Sequence, residues 1–139
     1  MKATRILVAG ALIVASALAP SVVLAQSAVL VQPPGIKRTD LMRNDLSTPG
    51  REVIQVLVEF APGVAFPKHS HPGEELVYVV EGSLEYALEG RPPVTLNAGD
   101  VLFISAGTPH AVRNVGSDKA AELATYLVTK GKPLLVPSE

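Results

Sequence analysis

FPKHSHPGEELVYVVEG, residues 66–82, decides the reading of this chain. It places two of the protein's 3 histidines one residue apart. A Pro-Gly pair follows, then two glutamates, then a run of Val and Tyr. On a strand, His69 and His71 leave the same face, with Cα atoms roughly 7 Å apart. Two imidazoles at that spacing can converge on one cation. Pro72-Gly73 reads as a turn, and Glu75 opens the next β run, so its carboxylate can swing back to the same point. His110, after GTP, opens a further strand. Three imidazoles and one carboxylate form a ligand set suited to Fe(II), Mn, Ni, Co, Cu or Zn. On an octahedral metal four protein ligands leave two positions for water, O₂ or substrate. Glu74 is the rival to Glu75; the start of the β run favours Glu75 and turns Glu74 towards solvent.

Outward from this stretch the pattern is short β runs punctuated by Gly, Pro, Asn and Asp. REVIQVLVEF (51–60) alternates, with Ile54, Val56, Val58 and Phe60 on one face and Gln55 and Glu59 on the other. ELVYVVEG (75–82), SLEYALEG (83–90), RPPVTLNAGD (91–100), VLFIS (101–105) and HAVRNVG (110–116) continue it. AELATYLVT (121–129) is the nearest to a helix, but Thr125, Tyr126, Val128 and Thr129 make it a strand. Evenly spaced short strands predict an all-β antiparallel sandwich or barrel.

The first 25 residues read differently. Lys2 and Arg5 precede an uncharged apolar run, Ile6 to Leu18, and Val23-Leu24-Ala25 stands where a signal peptidase cuts. This predicts a signal peptide over 1–25, an extended lead-in over 26–40 and one barrel domain over 41–139; an uncleaved N-terminal anchor is the alternative. Export predicts a periplasmic or secreted protein with no stable membrane association after cleavage. Loss of Lys2 and Arg5 removes two of the 12 basic residues and none of the 13 acidic ones, leaving a mildly acidic chain. That argues against a nucleic-acid partner, which needs clustered Lys and Arg. With no cysteine, the domain stands on its core without disulfides.

Residues 63–82 read G-x5-H-x-H-x3-E-x6-G, with Gly63, His69, His71, Glu75 and Gly82. Residues 99–114 read G-x7-G-x2-H-x3-N, with Gly99, Gly107, His110 and Asn114. Together these resemble the two motifs of the cupin superfamily, with Ser105 where the second motif carries proline. The resemblance implies a single-domain antiparallel jelly-roll β-barrel. It implies one divalent transition metal held by His69, His71, Glu75 and His110, and a homodimer. The strand at 121–129 and the tail KGKPLLVPSE are candidates to wrap a partner barrel.

Strand parity turns Val77 and Val79 the way of Glu75, and Val112 the way of His110. No Arg or Lys is forced towards the metal, so an apolar or aromatic small-molecule ligand is expected. Tyr78 has the outward parity. Asn114 is read as a turn-capping amide, with the pocket as its alternative; Tyr86 and Tyr126 are read as packing, with proton donation as theirs. Two function classes remain. One is a metal-dependent enzyme, first of dioxygenase type and alternatively an isomerase or lyase, a prior set by fold analogy. The other is a non-catalytic exported protein that binds or senses a small molecule.

Overall fold

A computed structural model describes residues 32–138. The expected signal peptide, and the part of the lead-in before residue 32, lie outside the described residues. Every described element is a β-strand: β1 Ile36–Asp45, β2 Arg51–Phe60, β3 Ala65–Ser70, β4 Gly73–Glu81, β5 Ser83–Leu88, β6 Val94–Asn97, β7 Val101–Ile104, β8 His110–Asn114, β9 Ala120–Thr129 and β10 Val136–Pro137. They form two five-stranded sheets, in the orders β1-β2-β9-β4-β7 and β10-β3-β8-β5-β6, with antiparallel pairing throughout. This is the antiparallel arrangement expected from the strand pattern, in the jelly-roll form that the resemblance implies.

The core lies between the sheets and follows the period of two. On β2, Glu52, Ile54, Val56, Val58 and Phe60 are buried while the residues between them are half-buried. On β4, Gly73, Glu75, Val77 and Val79 point in, and Leu76, Tyr78 and Val80 are exposed. Val112 is buried beside His110 in the same parity. Gln55 and Glu59 take the opposite side of β2, where Gln55 Nε2 donates to Thr125 Oγ1 at 3.1 Å and Glu59 pairs with Lys37 and Lys119.

Glycine sets two joints near the histidines. All four motif glycines, Gly63, Gly82, Gly99 and Gly107, have positive φ. At Gly82 space is short as well, because a Cβ would meet the Ala120 backbone and the Lys119 carbonyl at 2.8 Å. Gly73 is different: a Cβ there would fall 2.0 Å from the Leu127 carbonyl oxygen. Its bare backbone lets the start of β4 press against β9, which fixes the height of Glu75 two residues on.

Two elements differ from the sequence reading. The reading assigned no strand to 36–45, yet β1 pairs with β2 from Ile36↔Phe60 onwards. Its side chains are mostly exposed and charged, as suits a sheet edge, so it carries almost no apolar alternation to detect. The tail stays on its own barrel: Val136 pairs with Ser70, and Ser138 N donates to Lys68 O at 3.2 Å. The strand at 121–129 is enclosed between β2 and β4 of its own barrel.

Replacing the fully buried Leu84 by Ala should destabilise the fold by about 2–5 kcal/mol in urea denaturation. The same truncation at exposed Val94 should shift it by no more than about 0.5 kcal/mol.

Candidate metal centre

The chain passes from one sheet to the other between β3 and β4, and the site is built at that crossing. His69 comes from β3 and His110 from β8, directly opposite each other in the ladder. His71 sits in the link, and Glu75 faces them from β4 in the other sheet. All four side chains are buried. A register shift between Phe66 and His69 turns both inward despite their odd spacing. Pro67, which cannot donate to a ladder, occupies that bulge.

The bulge and the neighbouring turns free backbone carbonyls for the imidazoles. His69 Nδ1 donates to Pro67 O at 2.8 Å, His71 Nδ1 to Leu134 O at 2.8 Å, and His110 Nδ1 to Thr108 O at 2.9 Å. A carbonyl only accepts, so each Nδ1 carries a hydrogen and each neutral ring keeps its lone pair on Nε2. The three rings offer ligand nitrogens within 4.8 Å of one another. Glu75 Oε2 lies 3.2 Å from His71 Nε2 and 3.1 Å from His110 Nε2.

This arrangement calls for a cation. Glu75 Oε2 and His71 Nε2 are buried and have no hydrogen-bond partner. Two acceptors held face to face in a dry interior are costly unless a positive charge lies between them. Burial pushes the Glu75 carboxyl up, but the bonds it would accept from protonated His110 and His71 outweigh burial and hold it at about 2. Burial, reinforced by the charge of His110, pushes His69 down to about 4. For His110 burial works downward, yet the carboxylate of Glu75 prevails and raises it. A proton and a divalent metal would thus compete for His110 Nε2. The residues present fit such an ion.

A narrow cavity leads to His69, Glu75 and His110. Its free space, ≈ 10 Å³ for the centre of a water-sized sphere, holds about one water. The expectation of apolar walls without Arg or Lys is overturned here. Arg38, Glu122, Tyr86 and Tyr126 line the cavity together with Val58 and Val112. Val77 and Val79 are buried with the predicted parity but lie off the cavity. The basis for an apolar or aromatic ligand falls with it. The reason is β1: with no strand assigned there, Arg38 had no face.

Glu122 is the acid that the sequence reading missed. Tyr86 Oη donates to its Oε2. Burial, aided by the charge of Glu75, raises its carboxyl to about 8. Its signal was present: Glu122 shares parity with Ala124, Tyr126 and Val128, all buried on β9. Both tyrosines are pushed well above their ordinary value, chiefly by burial. Tyr126 also packs its ring 4.6 Å from that of His71. Asn114 has the capping role: Nδ2 donates to the carbonyls of Phe60, Ala61 and Asp118, and Oδ1 accepts from Gly116 N. Glu74 lies away from the site, half-exposed, and pairs with Arg51 at 2.6 Å.

With this geometry established, comparison with known proteins is decisive for the family. The Cupin domain model matches residues 56–129. The chain belongs to the cupin family. Among curated cupin relatives, the dimethylsulfoniopropionate lyase DddQ of Ruegeria pomeroyi is 40% identical over 57 residues, covering 41% of this chain and 28% of that one. The polyketide synthase CurC of Streptomyces cyaneus is 45% identical over 60 residues, covering 42% and 38%. The cupin described here therefore spans well under half the length of either relative. Among solved structures, an oxalate oxidase in complex with the substrate analogue glycolate superposes with a TM-score of 0.61 at 27% identity, over 81% of this chain and 60% of that one.

The pH dependence of metal loading follows from His110. Its raised value means that, below it, a proton competes for Nε2. Divalent-metal affinity should fall roughly tenfold per pH unit below that value and level off above it, as read by chelator competition. Glu75, ionised down to about 2, should add no further step in that range.

Proposed function

We propose that this cupin is a metal-dependent enzyme that moves a proton on a small oxygen-bearing molecule. His69, His71, Glu75 and His110 are its metal ligands. Glu122, held by Tyr86, is its acid–base group. The observation that carries this reading is that the buried Glu122–Tyr86 pair opens on the same cavity as His69, Glu75 and His110. A carboxyl poised near neutral pH is matched to proton transfer, and a merely structural or ligand-binding barrel has no need of one. When bound, a divalent ion such as Fe, Mn, Ni, Co, Cu or Zn supplies Lewis-acid polarisation of a substrate oxygen. Glu122 then holds or takes the proton, Tyr86 orients the carboxyl, and Phe66, Val58 and Val112 exclude water. The lyase named among the relatives accords with proton-transfer chemistry.

A second reading, a dioxygenase, draws support from the four-ligand set and from the oxidase among the structural relatives. A third, a non-catalytic binding protein, is supported by the similarity to an oxalate-binding protein of Thermotoga maritima, 31% identical over 72 residues, covering 51% of this chain and 59% of that one.

The test is solvent-deuterium exchange, followed by NMR, across a panel of small hydroxy and oxo compounds with metal-reconstituted protein. Glu122→Gln should keep stoichiometric metal yet lose at least about a hundredfold in exchange. His69→Ala/His110→Ala should lose the metal itself. Oxygen consumption without exchange would move the assignment to the dioxygenase. Full metal occupancy with neither activity would move it to the binding protein.

We further propose an exported homodimer, cleaved after Ala25. The leader pattern supports export. The dimer is supported by an apolar outer face on β4 and β7, where Leu76, Tyr78 and Val80 adjoin Val101 and Phe103, 70% and 55% exposed. Intact-mass and sedimentation analysis of protein recovered outside the cytoplasm should give a chain starting at Gln26 and twice its mass in solution. A full-length or monomeric species would refute the corresponding half.

A further inference from the structure

Arg38 lines the cavity and acts there on the Tyr126 hydroxyl and, through its charge, on Glu122, but it has no carboxylate at ion-pair distance among the described residues. The pairing register sets Arg38 opposite Val58 and Val58 opposite Glu122, so Arg38 and Glu122 share one row across three strands of the inner face. Tyr126 and Glu75 lie opposite each other further along. The Arg38 guanidinium lies close enough to Tyr126 to act on its hydroxyl as a donor and as a charge.

Arg43, Arg51 and Arg113 each have a carboxylate within 4 Å. Arg38 makes no such pair among the described residues, although it lines a cavity that holds two glutamates. Glu75 faces His71 and His110, and Glu122 accepts from Tyr86. Burial favours the neutral form of Glu122 more strongly than the charge of Arg38 favours the ionised one, which leaves it a poor counter-ion. Half-buried in the lining of the cavity it shares with His69 and His110, Arg38 offers a planar fork of donors.

We infer that Arg38 is the carboxylate-binding residue of the site, and that the substrate is a small monocarboxylate whose second oxygen-bearing group reaches the histidine cluster. This rests on the metal-site reading above and adds the charge class of the substrate. The free space as it stands holds about one water, so even a small acid enters only with displacement of lining side chains, Arg38 among them. A neutral analogue of the same shape would leave the guanidinium unanswered, and a dicarboxylate would set its second charge against Glu75.

The experiment uses L-lactate and L-lactamide, alike in shape and different in charge, as NMR titration probes of the full chain in apo and metal-loaded forms. Wild type should bind lactate at least tenfold more tightly than lactamide. Arg38→Gln should abolish that preference with metal content unchanged. Arg38→Lys, which keeps a charge but lacks the fork, should fall between them and guards against a folding defect in the first variant. Equal binding of the two probes, no binding of lactate by wild type, or an Arg38→Gln affinity within twofold of wild type would each overturn the inference. In the last case Arg38 serves only to neutralise Glu122. If no metal binds but apo protein shows Arg38-dependent lactate preference, the metal reading fails and this one stands.

Discussion

A carboxylate and an imidazole nitrogen, both acceptors, are held 3.2 Å apart in a dry interior, and the rest of the molecule is arranged around that contact. Left alone it would drive the sheets apart at this point. It persists because each ring is anchored from behind by a carbonyl, and because Glu75 is delivered by a strand of the opposite sheet. Among the described residues the two sheets are joined by apolar packing, by the Tyr86–Glu122 and Asn114–Phe60 hydrogen bonds, and by Glu75 facing the histidines. A cation there would tie β3, β8 and β4 together as well as serve chemistry.

The polar character does not stop at the histidines. Glu75 raises Glu122 through space, and Tyr86 and Glu122 share a hydrogen bond deep in the barrel. Arg38 lines the same cavity. The cavity thus grades from the Glu75 carboxylate among the histidines, through a neutral carboxyl and two phenols, to a guanidinium. A small molecule with one negative end and one lone-pair end would be oriented by that gradient before it touched the ligands.

Much of this was legible in the sequence, for physical reasons. Strand parity turned Glu75 inward with Val77 and Val79 because it depends only on local spacing, whereas His71 stands in the link after β3, beyond the reach of parity, and Gly73 already belongs to β4; Gly82 and Gly107 mark turns of positive φ. Asn114 read correctly as a cap. Arg38 did not, because β1 is a polar edge strand whose pairing with β2, not its composition, makes it a strand. Glu122 stood in an alternating run and could have been turned inward with Tyr126; a charged residue among buried neighbours was the available sign. The place of β9 between β2 and β4 is a non-local pairing that no periodicity encodes.

The carbonyl behind His71 belongs to Leu134, in the segment that returns to pair Val136 with Ser70. The other two carbonyls, from Pro67 and Thr108, lie within two residues of the rings they hold. One third of the anchoring is therefore supplied from far downstream. During synthesis the barrel can close and bury its core while His71 is still free to rotate. A metal there would be held in full only once the tail lies down, which would couple loading to a segment seated by Leu134 and Leu135 on the core and by the pairing of Val136 with Ser70.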